Sequence, residues 1–431
     1  MLRGVIEGDH TALVLAGERW VLGRGGECDI RLSKARVSRR HVEIRRRGPI
    51  YVVSDLESTN GTYVDGESIE QAVIKEGSVL RLGEWLGVVE EQSSEDEPCR
   101  FGEQAPGIWG GAGIAAALRP LVRAASSSLP VFLVGRTGTG KERFARAIHE
   151  LGRNGQPFHA INCAALVPSL AEAELFGYRK GAFTGAERNY AGHLRAAQGG
   201  TLLLDEIADL PPPVQAKLLR ALDTGDIAPL GESAEARFDA RIVSACQEPI
   251  AALVASGRLR EDLAARLSGL VVTLPELKHR RADIPALFDR FLRRYSGATA
   301  PPVSTRLYER LCLYDWPGNV RELELLARQL LSVHGLEPLL RRSHLPEGMR
   351  ERSSAPESEA DGTMTDRNER DIETLTLALK NARGNVKAAA KFAGISRQRA
   401  YRLIGSRRLA GVVVASREDM VDVDGENERS D

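Results

Sequence analysis

Short apolar runs separated by turn residues dominate the first part of the chain. Trp20-Val21-Leu22, His41-Val42-Glu43-Ile44, Tyr51-Val52-Val53 and Ser78-Val79-Leu80 carry β-branched or alternating patterns, and Gly25-Gly26, Gly48-Pro49, Asn60-Gly61 and Asp65-Gly66 punctuate them. Runs of this kind predict an all-β sandwich or barrel. From about Ile108 the pattern changes to buried apolar strands alternating with helices, which predicts an α/β domain. Val131-Phe132-Leu133-Val134 reads as a buried strand, with Phe144, Ile148 and Leu151 on one face of the next helix. After Pro275 the chain reads as helical to about residue 346, and again over 371–411. There is no internal repeat.

The 431 residues exceed what one core supports, so two to four domains are expected. Two stretches read as solvated linkers: the acidic, Ser-rich Glu90 to Glu97 and the polar Arg352 to Arg370. The acidic stretch after Arg417 has the composition of a disordered tail. A formal net charge of zero argues against whole-molecule attraction to nucleic acid or membrane but allows a local basic patch. Cys28, Cys99, Cys163, Cys246 and Cys312 are scattered without paired spacing, as expected of reduced thiols in the cytoplasm. The N-terminus lacks a signal-like apolar region, and no apolar run approaches the roughly 18 residues of a membrane span.

Gly135-Arg136-Thr137-Gly138-Thr139-Gly140-Lys141 follows the buried strand and opens a helix, the context a phosphate-binding loop requires. Backbone amides and a helix N-terminus would cradle the phosphates of ATP, and Lys141 would reach its β- and γ-phosphates. Glu142 stands where such loops usually carry the hydroxyl that ligates Mg²⁺. Thr201-Leu202-Leu203-Leu204 delivers Asp205 and Glu206 to the sheet's carboxyl edge, Asp205 to organise Mg²⁺ and Glu206 to polarise the attacking water. Taken alone, Asp205 is also a good helix cap, and Arg260 and Arg266 are also surface arginines beside Glu261 and Asp262. Pro317-Gly318 makes a turn, Asn319 is placed to cap the next helix, and Arg321 falls in its first turns. A cation there opposes the helix dipole, which points to another job such as contacting nucleotide phosphate.

The block from Ile108 to Leu345, with Gly138-Thr-Gly-Lys-Glu142, Asn162-Cys-Ala-Ala-Leu166, Gly199 to Ile207 and Trp316 to Leu323, resembles the AAA+ domain of bacterial enhancer-binding proteins, the activators of sigma-54 RNA polymerase. Its most specific element is the hexapeptide Gly181-Ala182-Phe183-Thr184-Gly185-Ala186. The resemblance implies that an exposed Phe183 and Thr184 touch the sigma factor when ATP raises the loop. It also implies that Asn162 pairs with the catalytic glutamate, that Arg260 and Arg266 act in trans, that Arg321 is a second sensor, and that dimers assemble into hexamers. The first sensor departs from the family's Ala-Thr-Asn, reading Cys246-Gln247, which moves the amide by one methylene. Leu259 and Ala264-Ala265 replace bulkier residues. These departures bear on the rate more than on the reaction.

Residues 23–66 resemble a forkhead-associated (FHA) domain, a phosphothreonine reader, through Gly23-Arg24, Val37-Ser38-Arg39-Arg40-His41 and Ser58-Thr-Asn-Gly-Thr62. Arg24, Ser38, Arg39, Thr59 and Asn60 would gather around a phosphate, with His41 bracing the loops. Input is therefore expected from a Ser/Thr kinase or its phosphothreonine protein. Residues 381–410 hold eight Lys or Arg and no acid. There Ser396 is placed to cap a helix whose polar face carries Arg397, Gln398, Arg399, Tyr401 and Arg402. That segment resembles the Fis-type helix-turn-helix of enhancer-binding proteins.

The expected organisation is an FHA sandwich (1–92), a linker (93–107), an α/β AAA+ core (108–275), an all-α lid (276–346), a linker (347–366), an all-α helix-turn-helix (367–412) and an acidic tail (413–431). The expected function is a cytoplasmic ATPase that binds enhancer DNA upstream of promoters and remodels the closed sigma-54 RNA polymerase holoenzyme complex. A phosphopeptide-binding scaffold or repressor with residual ATPase activity is the alternative, and an AAA+ remodeller of other substrates a third.

Overall fold

The computed structural model describes residues 2–6, 9–13, 15, 17–34, 36–48, 50–90, 101–232 and 236–350. Two antiparallel-rich sheets build the N-terminal sandwich. In chain order its strands are β1 (Leu2–Ile6), β2 (Asp9–Leu13), β3 (Arg19–Gly23), β4 (Ile30–Arg31), β5 (Val42–Arg47), β6 (Ile50–Asp55), β7 (Thr62–Val64), β8 (Glu67–Ile69), β9 (Gln71–Ile74), β10 (Val79–Leu82) and β11 (Trp85–Val89). One sheet runs β2-β1-β11-β10-β7-β8 and the other β4-β3-β5-β6-β9. Trp20, Leu22, Ile44, Val53, Leu80, Leu82 and Trp85 interleave between them as a core. Each fully buried side chain of this size contributes roughly 1.5–3 kcal/mol.

A hairpin of β12 (Gly102–Ala105) and β13 (Ile108–Gly110) leads into α1 (Ala112–Arg123) and the α/β domain. There follow β14 (Val131–Val134), α2 (Lys141–Arg153), β15 (Phe158–Asn162), α3 (Ala171–Phe176), α4 (His193–Ala196), β16 (Thr201–Asp205), α5 (Pro212–Thr224), the short β17 (Asp226–Ile227) and β18 (Ala236–Arg237), β19 (Arg241–Cys246), α6 (Ile250–Ala255), α7 (Glu261–Leu267) and β20 (Leu270–Thr273). The main sheet is parallel, in the order β15-β16-β19-β14-β20. Alternation along β14 assigns Val131 and Leu133 to a core shared with Phe144 and Ile148 of α2, and Phe132 and Val134 to one on the other face. Leu151, expected on the same buried face, is 42% exposed in the last turn of α2.

The helical part that follows is packed from α8 (Ile284–Ser296), α9 (Thr305–Leu313), α10 (Asn319–His334) and the short α11 (Glu347–Arg350). Its core gathers Phe288, Phe291, Leu307, Leu311, Trp316, Leu323 and Leu326, joined by Val79, Leu86 and Val88 of the N-terminal sandwich.

Candidate nucleotide site and flanking loops

The loop after β14 is tied down by its own hydrogen bonds. The Gly135 amide donates to the Cys246 carbonyl at 3.0 Å, and the Thr139 amide and hydroxyl both donate to the Arg136 carbonyl, at 3.2 and 2.7 Å. Lys141 opens α2 and is 8% exposed; its Nζ donates to the Gly135 carbonyl at 2.9 Å. Gly138 takes φ +78°, and a Cβ there would sit 2.0 Å from the Gly318 carbonyl. Glycine at 138 is thus demanded by backbone conformation and by the close approach of the helical part.

Asp205 ends β16, and Glu206 takes φ +52°, a left-handed conformation uncommon for a non-glycine residue and concentrated at functional sites. The turn aims Glu206 back across the loop. Its Oε1 lies 3.4 Å from Lys141 Nζ and accepts from Gln247 Nε2 at 3.1 Å, while Cys246 Sγ approaches Oε2 at 3.8 Å. Asp205 Oδ1 accepts from the Glu206 amide at 3.2 Å. Burial pushes the Asp205 carboxyl above its ordinary range against the pull of Lys141. Burial likewise raises the Cys163 and Cys246 thiols, so they stay protonated beside these acids. Arg136, Glu206, Asp209, Gln247 and Arg258 line a cleft of about 420 Å³.

Arg258 was not singled out by motif. It is held in that cleft by Asp209 at 3.1 Å and Glu248 at 2.6 Å, and the nearest sequence signal is its place two residues before Arg260. Arg260 and Arg266 do not line the cleft. Arg260 makes a two-pronged pair with Asp262, and Arg266 binds the Leu222 carbonyl and Asp223, all on exposed surface. Glu142 pairs with Arg146 one turn along α2 at 2.8 Å. Asn162 does not meet Glu206; its Oδ1 accepts from the Ala164 amide at 3.0 Å, closing the turn after β15.

The helical part presses its α10 end onto the loop. Asn319 does not cap α10, whose N-cap is Gly318 without a side-chain bond. Instead Asn319 is fully buried at φ +51°, donates from Nδ2 to the Thr137 carbonyl at 3.0 Å and accepts from the Leu277 amide at 2.8 Å. Both ends of its amide are consumed in bolting the phosphate loop to the start of the helical part. The Val320 amide adds a bond to the Gly138 carbonyl at 3.1 Å, and Arg321 Cβ lies 3.2 Å from the position of a Gly138 Cβ.

The 181–186 hexapeptide packs against its own stem. Tyr178 bridges Tyr190, the Arg179 amide donates to the Leu230 carbonyl, and the Gly181 amide donates to the Ala186 carbonyl at 2.9 Å. Gly181 and Gly185 take φ +86° and +99°. Phe183, expected to be exposed, is half-buried, its ring packed edge-on to Tyr178 at 5.0 Å; Thr184 alone of that pair is exposed. Ala182 is half-buried and Ala186 is buried. An apolar ring gains more against a neighbouring aromatic than in water, which accounts for the difference. Arg179 and Glu232 clamp the base of the loop with two bonds of 2.7 Å.

At one end of the sandwich, Arg24 and Arg39 are exposed on adjoining loops joined by the Arg24 amide bond to the Ser38 carbonyl, 2.9 Å. Ser38 Oγ accepts from the Thr59 amide at 2.9 Å and lies 3.4 Å from the Thr59 hydroxyl. Asn60 Nδ2 donates to the Arg36 carbonyl at 2.7 Å. Fully buried His41 accepts from the Ser38 amide at Nδ1 (3.0 Å) and faces the Gly61 carbonyl at Nε2 (3.2 Å), with burial holding its pKa below the ordinary histidine value. Two cationic side chains thus project beside a rigid hydroxyl cluster. Arg397, Gln398, Arg399, Tyr401 and Arg402 lie outside the described residues, as does the whole expected helix-turn-helix.

Among the described residues no helix is long and apolar enough to cross a membrane, and no group of three or more His, Cys, Asp and Glu is arranged to hold a metal ion.

Residues 111–273 match the Sigma-54 interaction domain family, 20–83 the FHA domain family and 278–362 the AAA+ ATPase lid domain family. The chain is 40% identical over 289 residues to the transcriptional regulatory protein GlrR of Escherichia coli K12, covering 66% of this chain and 64% of GlrR. It is 43% identical over 239 residues to the DNA-binding transcriptional regulator NtrC of Azospirillum brasilense, covering 54% of this chain and half of NtrC. The chain therefore spans between half and just under two thirds of these curated relatives. Among solved structures it resembles NtrX from Brucella abortus in complex with ATP, with TM-score 0.51, 30% identity, and coverage of 72% of this chain and 69% of NtrX. A Sigma-54 interaction domain, an AAA+ lid and an FHA domain are thus matched within one chain, whose curated relatives include transcriptional regulators.

Proposed function

We propose that the chain is an ATPase that remodels the closed sigma-54 RNA polymerase complex at promoters, bound to upstream enhancer DNA and gated by phosphothreonine recognition through its FHA domain. The observation that carries this reading is the convergence of Lys141, Asp205, Glu206 and Gln247 at the phosphate loop, in a chain that also carries an intact Gly181–Ala186 hexapeptide.

ATP would place its phosphates on the amides of Gly135 to Gly140, with Lys141 exchanging its Gly135 bond for phosphate oxygen. Asp205 is a half-buried hard oxygen donor at the mouth of that loop, which fits Mg²⁺; the ion would neutralise charge building on the phosphates. Glu206, held by Gln247, accepts the proton of the attacking water. Arg321 approaches from α10, while Arg260 and Arg266, outside their own cleft, are disposed to serve a neighbouring subunit's nucleotide in a hexamer. Glu142, committed to Arg146, is left to the loop's rim. Arg24, Ser38, Arg39, Thr59 and Asn60 take the phosphothreonine, and residues 397–402 the DNA, in the cytoplasm. Gln247 reaching Glu206 speaks against the alternative of a scaffold with residual ATPase activity.

The test is a purified transcription assay at a sigma-54 promoter. ATP-dependent open complexes should form, and should be lost with Thr184→Ala while ATP turnover persists. Normal promoter opening by that variant would refute the mechanism.

A further inference from the structure

The outer sheet of a two-sheet sandwich normally alternates, one side on the core and one in water. The paired strands β10 and β11 do not: every residue of both strands is buried. Leu80, Leu82, Trp85 and Val89 enter the sandwich core. Val79, Arg81, Leu86 and Val88, which the pairing Val79↔Val88 and Arg81↔Leu86 sets on the opposite face, turn to the lid. Val79, Leu86 and Val88 share one apolar cluster with Leu307, Leu311 and Cys312 of α9. Arg81 Nε donates to Glu309 Oε2 at 2.8 Å, each residue 7% exposed, and its guanidinium also stacks on Tyr63 at 3.7 Å.

Two further bonds border the contact. Arg281 Nη1 donates to the Gly77 carbonyl at 3.0 Å, and the Thr305 hydroxyl at the start of α9 donates to the Glu84 carbonyl at 3.0 Å. Glu84 also pairs with Arg36 at 3.1 Å, and the Arg36 carbonyl receives Asn60 Nδ2. The phosphate-reading loops thus stand a short bonded path from α9. Helix α9 in turn leads through buried Trp316, bonded to the Leu311 carbonyl, into Asn319 and Arg321 beside the phosphate loop.

We propose that the N-terminal domain is built into the lid and moves with it as one body, so that its docking sets the affinity of the nucleotide site. A dry core shared across the boundary, with a buried ion pair inside it, is the construction of one domain rather than of two joined by a tether. Linkage then runs both ways: nucleotide that repositions the lid repositions the sandwich, and whatever strains the sandwich alters nucleotide binding. The consequence for affinity rests on the ATPase reading above; the shared body does not.

The test uses the full chain with Glu309→Lys, Arg81→Glu, and the swap carrying both. Amide hydrogen exchange is followed over 79–89, 305–313 and 131–134, and binding of a fluorescent ADP analogue is titrated. Each single variant should speed exchange at least tenfold in both 79–89 and 305–313, leave 131–134 protected, and weaken the analogue at least threefold; the swap should restore all three. If 131–134 also loses protection, the variant has misfolded and Thr305→Val decides instead, expected to speed both segments in parallel. Exchange of 79–89 that is indifferent to Glu309→Lys and Thr305→Val overturns the proposal, as does equal analogue affinity in all variants. If no form binds the analogue, the ATPase reading fails while the exchange comparison still decides the shared body.

Discussion

Gln247 Nε2 donates to Glu206 Oε1 at 3.1 Å, so the amide just past β19 holds the acid that faces Lys141 of the phosphate loop. Removing that donor with Gln247→Ala should lower ATP turnover about tenfold to a hundredfold while leaving nucleotide affinity nearly unchanged, as expected of a group that orients a catalytic acid. Gln247→Asn should recover little, because its amide falls one methylene short from this backbone. Steady-state kinetics with a binding titration separate the two effects; unchanged turnover would remove Gln247 from the mechanism.

Burial holds the Asp205 carboxyl above its ordinary range, so folding favours its protonated form. The associated stability is complete below the ordinary carboxylate value of about 3.9 and is lost as pH rises through the raised folded value. At neutral pH the ionised group therefore weakens the fold. Asp205→Asn should raise stability at neutral pH and depress turnover by about a hundredfold. Denaturant unfolding at pH 4 and pH 7 checks the sign: the gain should shrink at the lower pH.

His41 behaves in the opposite sense. Its Nδ1 accepts from the Ser38 amide, and a proton there would set two donors face to face. With the folded pKa depressed by burial, stability present above about pH 6.5 should be lost as pH falls from there through the folded value. Amide hydrogen exchange across 42–55, followed as a function of pH, should show that slope, and His41→Gln should flatten it.

Asn319→Ala strands the buried Leu277 amide and the Thr137 carbonyl. The expected cost is about 2 kcal/mol, with looser nucleotide binding because the phosphate loop loses its bolt. Asn319→Asp keeps the acceptor for Leu277 and loses the donor to Thr137, so it should fall between. Denaturant midpoints and nucleotide titration read the two consequences separately.

The hexapeptide packs on its stem through the ring contact between Tyr178 and Phe183. Tyr178→Ala should release about 1 kcal/mol of that packing and raise the rate of proteolytic cutting within 179–189 severalfold. Cutting at the wild-type rate would show that the backbone bonds, not the rings, hold the loop.

Much of the nucleotide site was legible because its parts are short and local. Gly135 to Lys141 and Leu202 to Glu206 each combine a buried strand with a fixed offset to polar groups, and strand order then brings them together at one sheet edge. What escaped depends on contacts distant in sequence. Asn319 has the composition of a helix cap, and only the approach of Thr137 and Leu277, far back in the chain, gives it another use. Phe183 between glycines reads as exposed unless Tyr178 is known to cross beneath it. Arg258 has no motif, because its place in the cleft is set by Asp209 and Glu248. Arg81 within an apolar run was the one local sign of a sandwich face that does not meet water.

That two-faced hairpin limits the modularity of the chain. Here a cut after residue 90 would leave Leu307, Leu311 and the Glu309 carboxylate facing solvent with no cover. The trimmed ATPase would carry a sticky apolar patch around an unpaired charge, prone to self-association. Poor solubility of such a fragment would then report a missing wall rather than a missing signal.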